Sequence, residues 1–142
     1  MKKILILALG ALAMISCAKQ PCDARHTCWA YDATIYELNT RQATPEGTFA
    51  AAEALLPEIK ESGVDIIWIM PIQKIGVLER KGTLGSYYAI TDYCEFNPEF
   101  GTRADFEHFL AKAHELGLKV ILDWVANHTA PDSEWTKNDG WH

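Results

Sequence analysis

The chain has 142 residues, about half of them hydrophobic (49%) and 23% charged, with a formal net charge of -6 at pH 7. That length holds one domain at most, and the composition is that of a folded protein rather than a disordered one. The acidic balance, with no basic stripe, argues against a nucleic-acid partner and suits a neutral or cationic ligand.

The N-terminus reads as a targeting signal. Met1-Lys2-Lys3 is a short positive segment, and Ile4 to Ile15 is apolar apart from Gly10. Such a run is too short for a comfortable bilayer-spanning helix. It ends at Met14-Ile15-Ser16-Cys17, which resembles a bacterial lipoprotein lipobox. The resemblance implies cleavage before Cys17, diacylation of its sulfur and attachment to a lipid bilayer. The alternative is plain secretion, with Cys17 an ordinary residue. Ala18, rather than Asp, follows Cys17; in such lipoproteins this implies the outer membrane, with neither face of it specified. The expected organisation is a signal peptide over 1–16, a tether over 17–32 and a folded part over 33–142. Cys22 and Cys28 either close a small disulfide in an oxidising compartment or stay as thiols. No two of Cys22, Cys28 and Cys94 have zinc-site or redox spacing.

Within the folded part, Thr34 to Leu38 predicts a short strand. Thr48 to Ser62 predicts a helix, with Phe49, Ala52, Leu56 and Ile59 at helical spacing and Gly63 to end it. Pro57 should kink or split that helix. Asp65 to Met70 is a continuous apolar run rich in β-branched residues and stopped by Pro71, the pattern of a strand buried on both faces. A second helix is expected from Arg103 to Leu116, with Phe106, Phe109, Leu110 and Ala113 on its apolar face. Thr102 and Asp105 have capping-box spacing ahead of it, and Gly117 follows it. Lys119 to Val125 predicts another buried strand. Strand, helix, strand, helix, strand implies right-handed parallel crossovers and an α/β architecture. The connection between Pro71 and Thr102 is too long for an ordinary loop. It carries Tyr87, Tyr88, Tyr93, Phe96 and Phe100, which speaks against disorder.

Asp123-Trp124-Val125-Ala126-Asn127-His128 begins in an apolar strand and ends in polar groups. In α/β barrels that end of a strand is where active sites form. A carboxylate at Asp123 needs a partner or a sugar hydroxyl. Asn127 offers a carbonyl oxygen suited to a hard cation, and His128 a hydrogen-bond donor. His108 and His114, six apart on one helix, do not share a face for a metal site. Glu53, Glu58 and Glu61 read as a solvated helix face.

These segments resemble glycoside hydrolase family 13, the α-amylase family. Asp123 to His128 is similar to its Asp-x-x-x-Asn-His region on the third barrel strand. The resemblance also covers Ile35 to Leu38, Gly63 to Ile72, Leu84 to Tyr93 and Asn97 to Thr102, in the family's order and spacing. It implies the first three β/α units of a TIM (β/α)8 barrel, incomplete at this length, and then the start of an inserted domain. It also implies an enzyme acting on α-glucosidic bonds of starch-like substrates or maltooligosaccharides by a retaining mechanism. By position, Tyr88 matches the tyrosine that stacks on the sugar ring at the cleavage subsite, and His128 the histidine that hydrogen-bonds that sugar. Asp123 matches a carboxylate supporting the site, and Asn127 a calcium ligand in those members that bind calcium. Tyr87 stands where members commonly have proline.

Retaining glycosidases need two carboxyl groups about 5 Å apart. The family carries its catalytic carboxylates after its fourth, fifth and seventh strands. None is therefore expected among these residues, and Asp132, Glu134 and Asp139 are not candidates. The chain alone is expected to be marginally stable and inactive. A non-catalytic carbohydrate-binding lipoprotein is the competing reading. A doubly wound nucleotide-binding protein is disfavoured, because no glycine-rich phosphate loop follows any strand.

Overall fold

The three apolar runs pair side by side as parallel strands. The computed structural model describes residues 27–137; Cys17, Cys22 and the rest of the targeting segment lie outside the described residues. The chain divides into two units, Met1–Asp32 and Ala33–His142. Of the first unit, a 3₁₀ turn at Cys28–Ala30 is described, and Cys28 takes part in a disulfide.

In the second unit the elements in chain order are β1 (Ile35–Leu38), α1 (Thr40–Ala43), α2 (Phe49–Glu53) and α3 (Leu56–Glu61). β2 (Ile66–Ile69), β3 (Gln73–Ile75), β4 (Ile90–Phe96), α4 (Arg103–Glu115) and β5 (Lys119–Leu122) follow, with 3₁₀ turns at Pro98–Phe100 and Glu134–Lys137. β1, β2 and β5 form a parallel sheet in that order. Each parallel crossover runs through helices, as parallel pairing requires.

Pro57 splits the expected helix into α2 and α3. It sits at the second position of α3, where its missing N–H is not needed. Thr48 Oγ1 caps α2 by accepting from Ala51 N at 3.2 Å. α4 starts on a complete capping box between Thr102 and Asp105, and Gly117 follows it at φ 76°.

One face of the sheet is covered by these helices. Leu38, Ile67 and Ile69 join Phe49, Leu56, Ile59, Phe106 and Phe109 in one buried cluster. Phe49 lies at its centre, its ring centroid 5.2 to 6.1 Å from those of Phe96, Phe100 and Phe106. Each fully buried side chain of this size contributes roughly 1.5–3 kcal/mol. On the other face Ile35, Trp68 and Ile121 are 57%, 38% and 44% exposed, while Ile66 is buried. β2 is therefore buried on both faces only in part, with Trp68 left exposed among the described residues.

The last strand is also shorter and more exposed than its sequence pattern. Its ladder with β2 ends at Leu122, opposite Ile69, with one further bond from Asp123 N to Ile69 O, so Trp124 and Val125 leave the sheet. Glu53 departs from the solvated-face reading as well. Its carboxylate meets His108 Nδ1 at 2.5 Å, bridging α2 and α4, whereas Glu58 and Glu61 are exposed.

The long connection is ordered by its own antiparallel pair, β3 with β4, whose register is irregular. Its end is tied down where Asn97 N donates to Ile72 O at 2.8 Å. Asn97 is buried and caps the following 3₁₀ turn.

Candidate functional site

Asp123 N donates to Ile69 O at 2.9 Å at the C-terminal end of the sheet. The chain then leaves the sheet and lies against the start of β4. Ile90 O accepts from both Thr129 Oγ1, at 2.6 Å, and Ala130 N, at 2.7 Å. Tyr93 Oη, further along β4, reaches Val125 O at 2.7 Å and His128 O at 2.8 Å. The two bonds to Ile90 O, and the single Tyr93 hydroxyl proton shared between the Val125 and His128 carbonyls, thus hold residues 125–130 beside the segment that carries Tyr88.

That docking brings together three of the residues picked out by sequence. Tyr88 Oη donates to Asp123 Oδ2 at 2.9 Å, which supplies the partner that the carboxylate needs. Burial, and then the Asp123 carboxylate, push the Tyr88 phenol up to about 12. The phenol is therefore a fixed donor at neutral pH, and its ring position is set by that bond. His128 Nε2 lies 3.2 Å from Tyr88 O, and Nδ1 lies 3.3 Å from Asn127 Nδ2. A carbonyl oxygen only accepts, so Nε2 carries the proton, and Nδ1 accepts from the Asn127 amide. His128 is exposed, so its Nε2–H can turn from Tyr88 O to a ligand hydroxyl.

Asn127 is exposed at the rim. Among the described residues no group of three or more His, Cys, Asp and Glu side chains is placed to hold a metal ion. Calcium takes six to eight oxygens, and Asn127 Oδ1 offers one of that kind. Cys17 lies outside the described residues.

Two residues near the site carry no sequence signal of their own. Asn39 and Arg41 begin α1, directly after β1. Asn39 Nδ2 donates to Tyr87 Oη at 3.2 Å. Arg41 reaches Gly85 O and Leu84 O, at 2.9 and 3.2 Å, and pairs with Glu99 at 3.1 Å. The hydroxyl that Tyr87 carries in place of the family's common proline is thus used to hold the loop. Asp132, set aside as a catalyst, has a structural role: its Oδ2 accepts from Val77 N at 2.8 Å and Leu78 N at 3.2 Å. The Val77 amide, the largest cause, holds its carboxyl below the usual range, with burial opposing.

Residues 32–140 match the family described as "Alpha amylase, catalytic domain". The chain is 31% identical over 140 residues to an α-glucosidase of Apis mellifera, covering 95% of this chain and 23% of that protein. It is 37% identical over 116 residues to the α-amylase MalA of Haloarcula japonica, covering 80% of this chain and 16% of that one. Among solved structures, an α-amylase from Lactobacillus plantarum superposes with a TM-score of 0.73 at 51% identity, over 74% of this chain and 25% of that chain. The chain thus spans about a quarter or less of the length of these relatives.

Proposed function

Since the chain belongs to the α-amylase catalytic-domain family, we propose that it forms one sugar subsite of an enzyme that cleaves α-glucosidic bonds in starch-like glucans or maltooligosaccharides. The observation that carries this is the Tyr88–Asp123–His128 group at the C-terminal end of a parallel sheet. The Tyr88 ring suits the apolar face of a pyranose. Its hydroxyl is already satisfied by Asp123, so the ring is held in place before a ligand arrives. His128 supplies a donor to a sugar hydroxyl. Asp123 touches Tyr88 and acts here as the group that fixes it.

The chemistry that goes with this site is double displacement with retention. Its nucleophile and acid/base, a carboxyl pair about 5 Å apart, belong to barrel strands beyond β5; a complete barrel has eight strands. Were calcium bound, Asn127 Oδ1 would be one of the several oxygens holding it. In the lipoprotein reading Cys17 is acylated and holds the protein on a bilayer, and Ala18 after it selects the outer membrane; in the alternative the protein is secreted.

The test is maltoheptaose binding and product analysis. The 142-residue polypeptide should bind without hydrolysing, and Tyr88→Ala should abolish binding. A complete barrel carrying the same site should release the α-anomer first, seen by proton NMR. Absence of binding by the wild-type polypeptide overturns the subsite. Hydrolysis by it overturns the placement of the carboxylates beyond β5. Binding with no hydrolysis by the complete barrel leaves the carbohydrate-binding lipoprotein in its place.

A further inference from the structure

We infer that Arg41 is the positioning residue of this site: it acts through Leu84, Gly85 and Tyr87 to hold the Tyr88 ring where a sugar would stack. The inference rests on the sugar-subsite reading above.

Arg41 leaves the sheet with its side chain only 14% exposed and its guanidinium turned inward. One terminal nitrogen donates to Gly85 O at 2.9 Å, and the other reaches Leu84 O at 3.2 Å and Glu99 Oε2 at 3.1 Å. The guanidinium carbon also lies 5.2 Å from the Tyr87 ring centroid and 5.9 Å from that of Phe100. One planar cation therefore joins three stretches of chain: α1, the loop before Tyr88 and the turn before α4. Only a flat group with several donors fixed in a fork satisfies two carbonyls, a carboxylate and a ring face together; a lysine ammonium reaches fewer of them at once.

What Arg41 grips is the segment whose geometry Tyr88 depends on. Gly85 adopts φ 65°, in the left-handed region, and its carbonyl direction is set by that turn. Tyr87 carries the clamp to its neighbour, since the Tyr87 and Tyr88 rings lie 5.3 Å apart. Tyr88 then reaches Asp123. Glu99 Oε2 shares one terminal nitrogen of Arg41 with Leu84 O, while Gly85 O is held by the other. Removal of the Glu99 carboxylate leaves both carbonyl bonds in place, which separates a positioning role from a general contribution to stability.

The experiment compares Arg41→Lys, Arg41→Met and Glu99→Gln in the full chain. Carbon-13 at the tyrosine ζ position reports the Tyr88 hydrogen bond, with the resonance assigned from Tyr88→Phe. Thermal unfolding and maltotriose binding are measured alongside. The Arg41 variants should fold, move the Tyr88 resonance toward that of a free tyrosine and weaken maltotriose binding about tenfold, equivalent to about 1.4 kcal/mol. Glu99→Gln should lower the unfolding temperature without moving the resonance or the affinity. An unmoved Tyr88 resonance in both Arg41 variants, equal movement in Glu99→Gln, or failure of both Arg41 variants to fold overturns the positioning role. If wild-type protein binds no maltotriose while the Arg41 variants still move Tyr88, the subsite reading fails and the positioning of Tyr88 stands.

Discussion

Tyr88 Oη and Asp123 Oδ2, 35 residues apart in the chain, meet at 2.9 Å. The bond joins the loop before β4 to the end of β5, so two connections of different length share one anchor. Neither side chain is fully buried, which leaves the ring reachable by a ligand while its hydroxyl is held.

Burial of Tyr88, and then this bond, make stability fall at alkaline pH. Tyr88 is raised to about 12 from an ordinary 10.0, first by burial and then by the Asp123 hydrogen bond and charge. A raised value means that the folded state keeps the proton longer than the unfolded chain does. The contribution is fully present below about pH 10 and is lost as pH rises towards 12. Asp123→Asn keeps an acceptor and removes the charge. Burial remains the larger cause, so Tyr88 should move only part of the way back. Following tyrosine ionisation by absorbance near 295 nm against a Tyr88→Phe difference tests this. A return of Tyr88 to its ordinary value in Asp123→Asn would show that charge, not burial, dominates.

The capping box at the start of α4 gives a prediction at a site far from any ligand. Thr102 Oγ1 accepts from Asp105 N at 3.3 Å, and Asp105 Oδ2 accepts from Thr102 N at 2.7 Å. Replacing a capping threonine by alanine costs about 1 kcal/mol. Thr102→Ala should lower the unfolding free energy measured by urea titration by that amount, and the midpoint with it, without altering maltooligosaccharide binding. An unchanged midpoint would mean that packing of Phe106 and Phe109 alone fixes the start of the helix.

That cap was legible in the sequence because its chemistry is local. Thr102 and Asp105 are neighbours in one turn, and the proline that splits α2 from α3 acts within its own segment. The β3–β4 pair was not legible. Gln73-Lys74-Ile75 is too short to show a period, and its register against β4 shifts at each step. The length of β5 was misread for a related reason. Its apolar run continues to Val125, but a strand ends where its neighbour stops pairing, and β2 stops at Ile69 before Pro71. The exposed Ile121 and Trp68 show the same limit: a buried-strand pattern records what covers the strand in the finished fold, not what the described residues supply. In the site, Tyr88, Asp123 and His128 were found through the family pattern, since their contacts span 35 and 40 residues. Arg41 and Asn39 escaped because an arginine or asparagine after a strand has many ordinary uses, and only geometry shows that both reach the Tyr87 loop.

Gly76 and Asp132 give the last prediction. A Cβ on Gly76 would stand 2.3 Å from Asp132 Oδ1 and 2.5 Å from Ala130 Cβ. Both neighbours are held, Ala130 by its bond to Ile90 O and Asp132 by the Val77 and Leu78 amides. Gly76→Ala must therefore push Asp132 off those amides, and overpacking of this kind costs roughly 1–3 kcal/mol. The carboxyl of Asp132 is lowered in the fold. Its contribution is therefore present above the ordinary carboxylate value of 3.8 and lost as pH falls through the lower, folded one. Wild-type protein should accordingly lose stability on acidification, and Gly76→Ala, whose amides no longer meet the carboxylate, should lose less over the same range. Because residues 130–132 continue from the loop bearing His128, the substitution should also weaken sugar binding. Urea unfolding at pH 7 and pH 3 measures the first effect, and maltotriose titration the second. Equal acid sensitivity in the two proteins would show that the two amide bonds survive the substitution, and the packing argument would then fail.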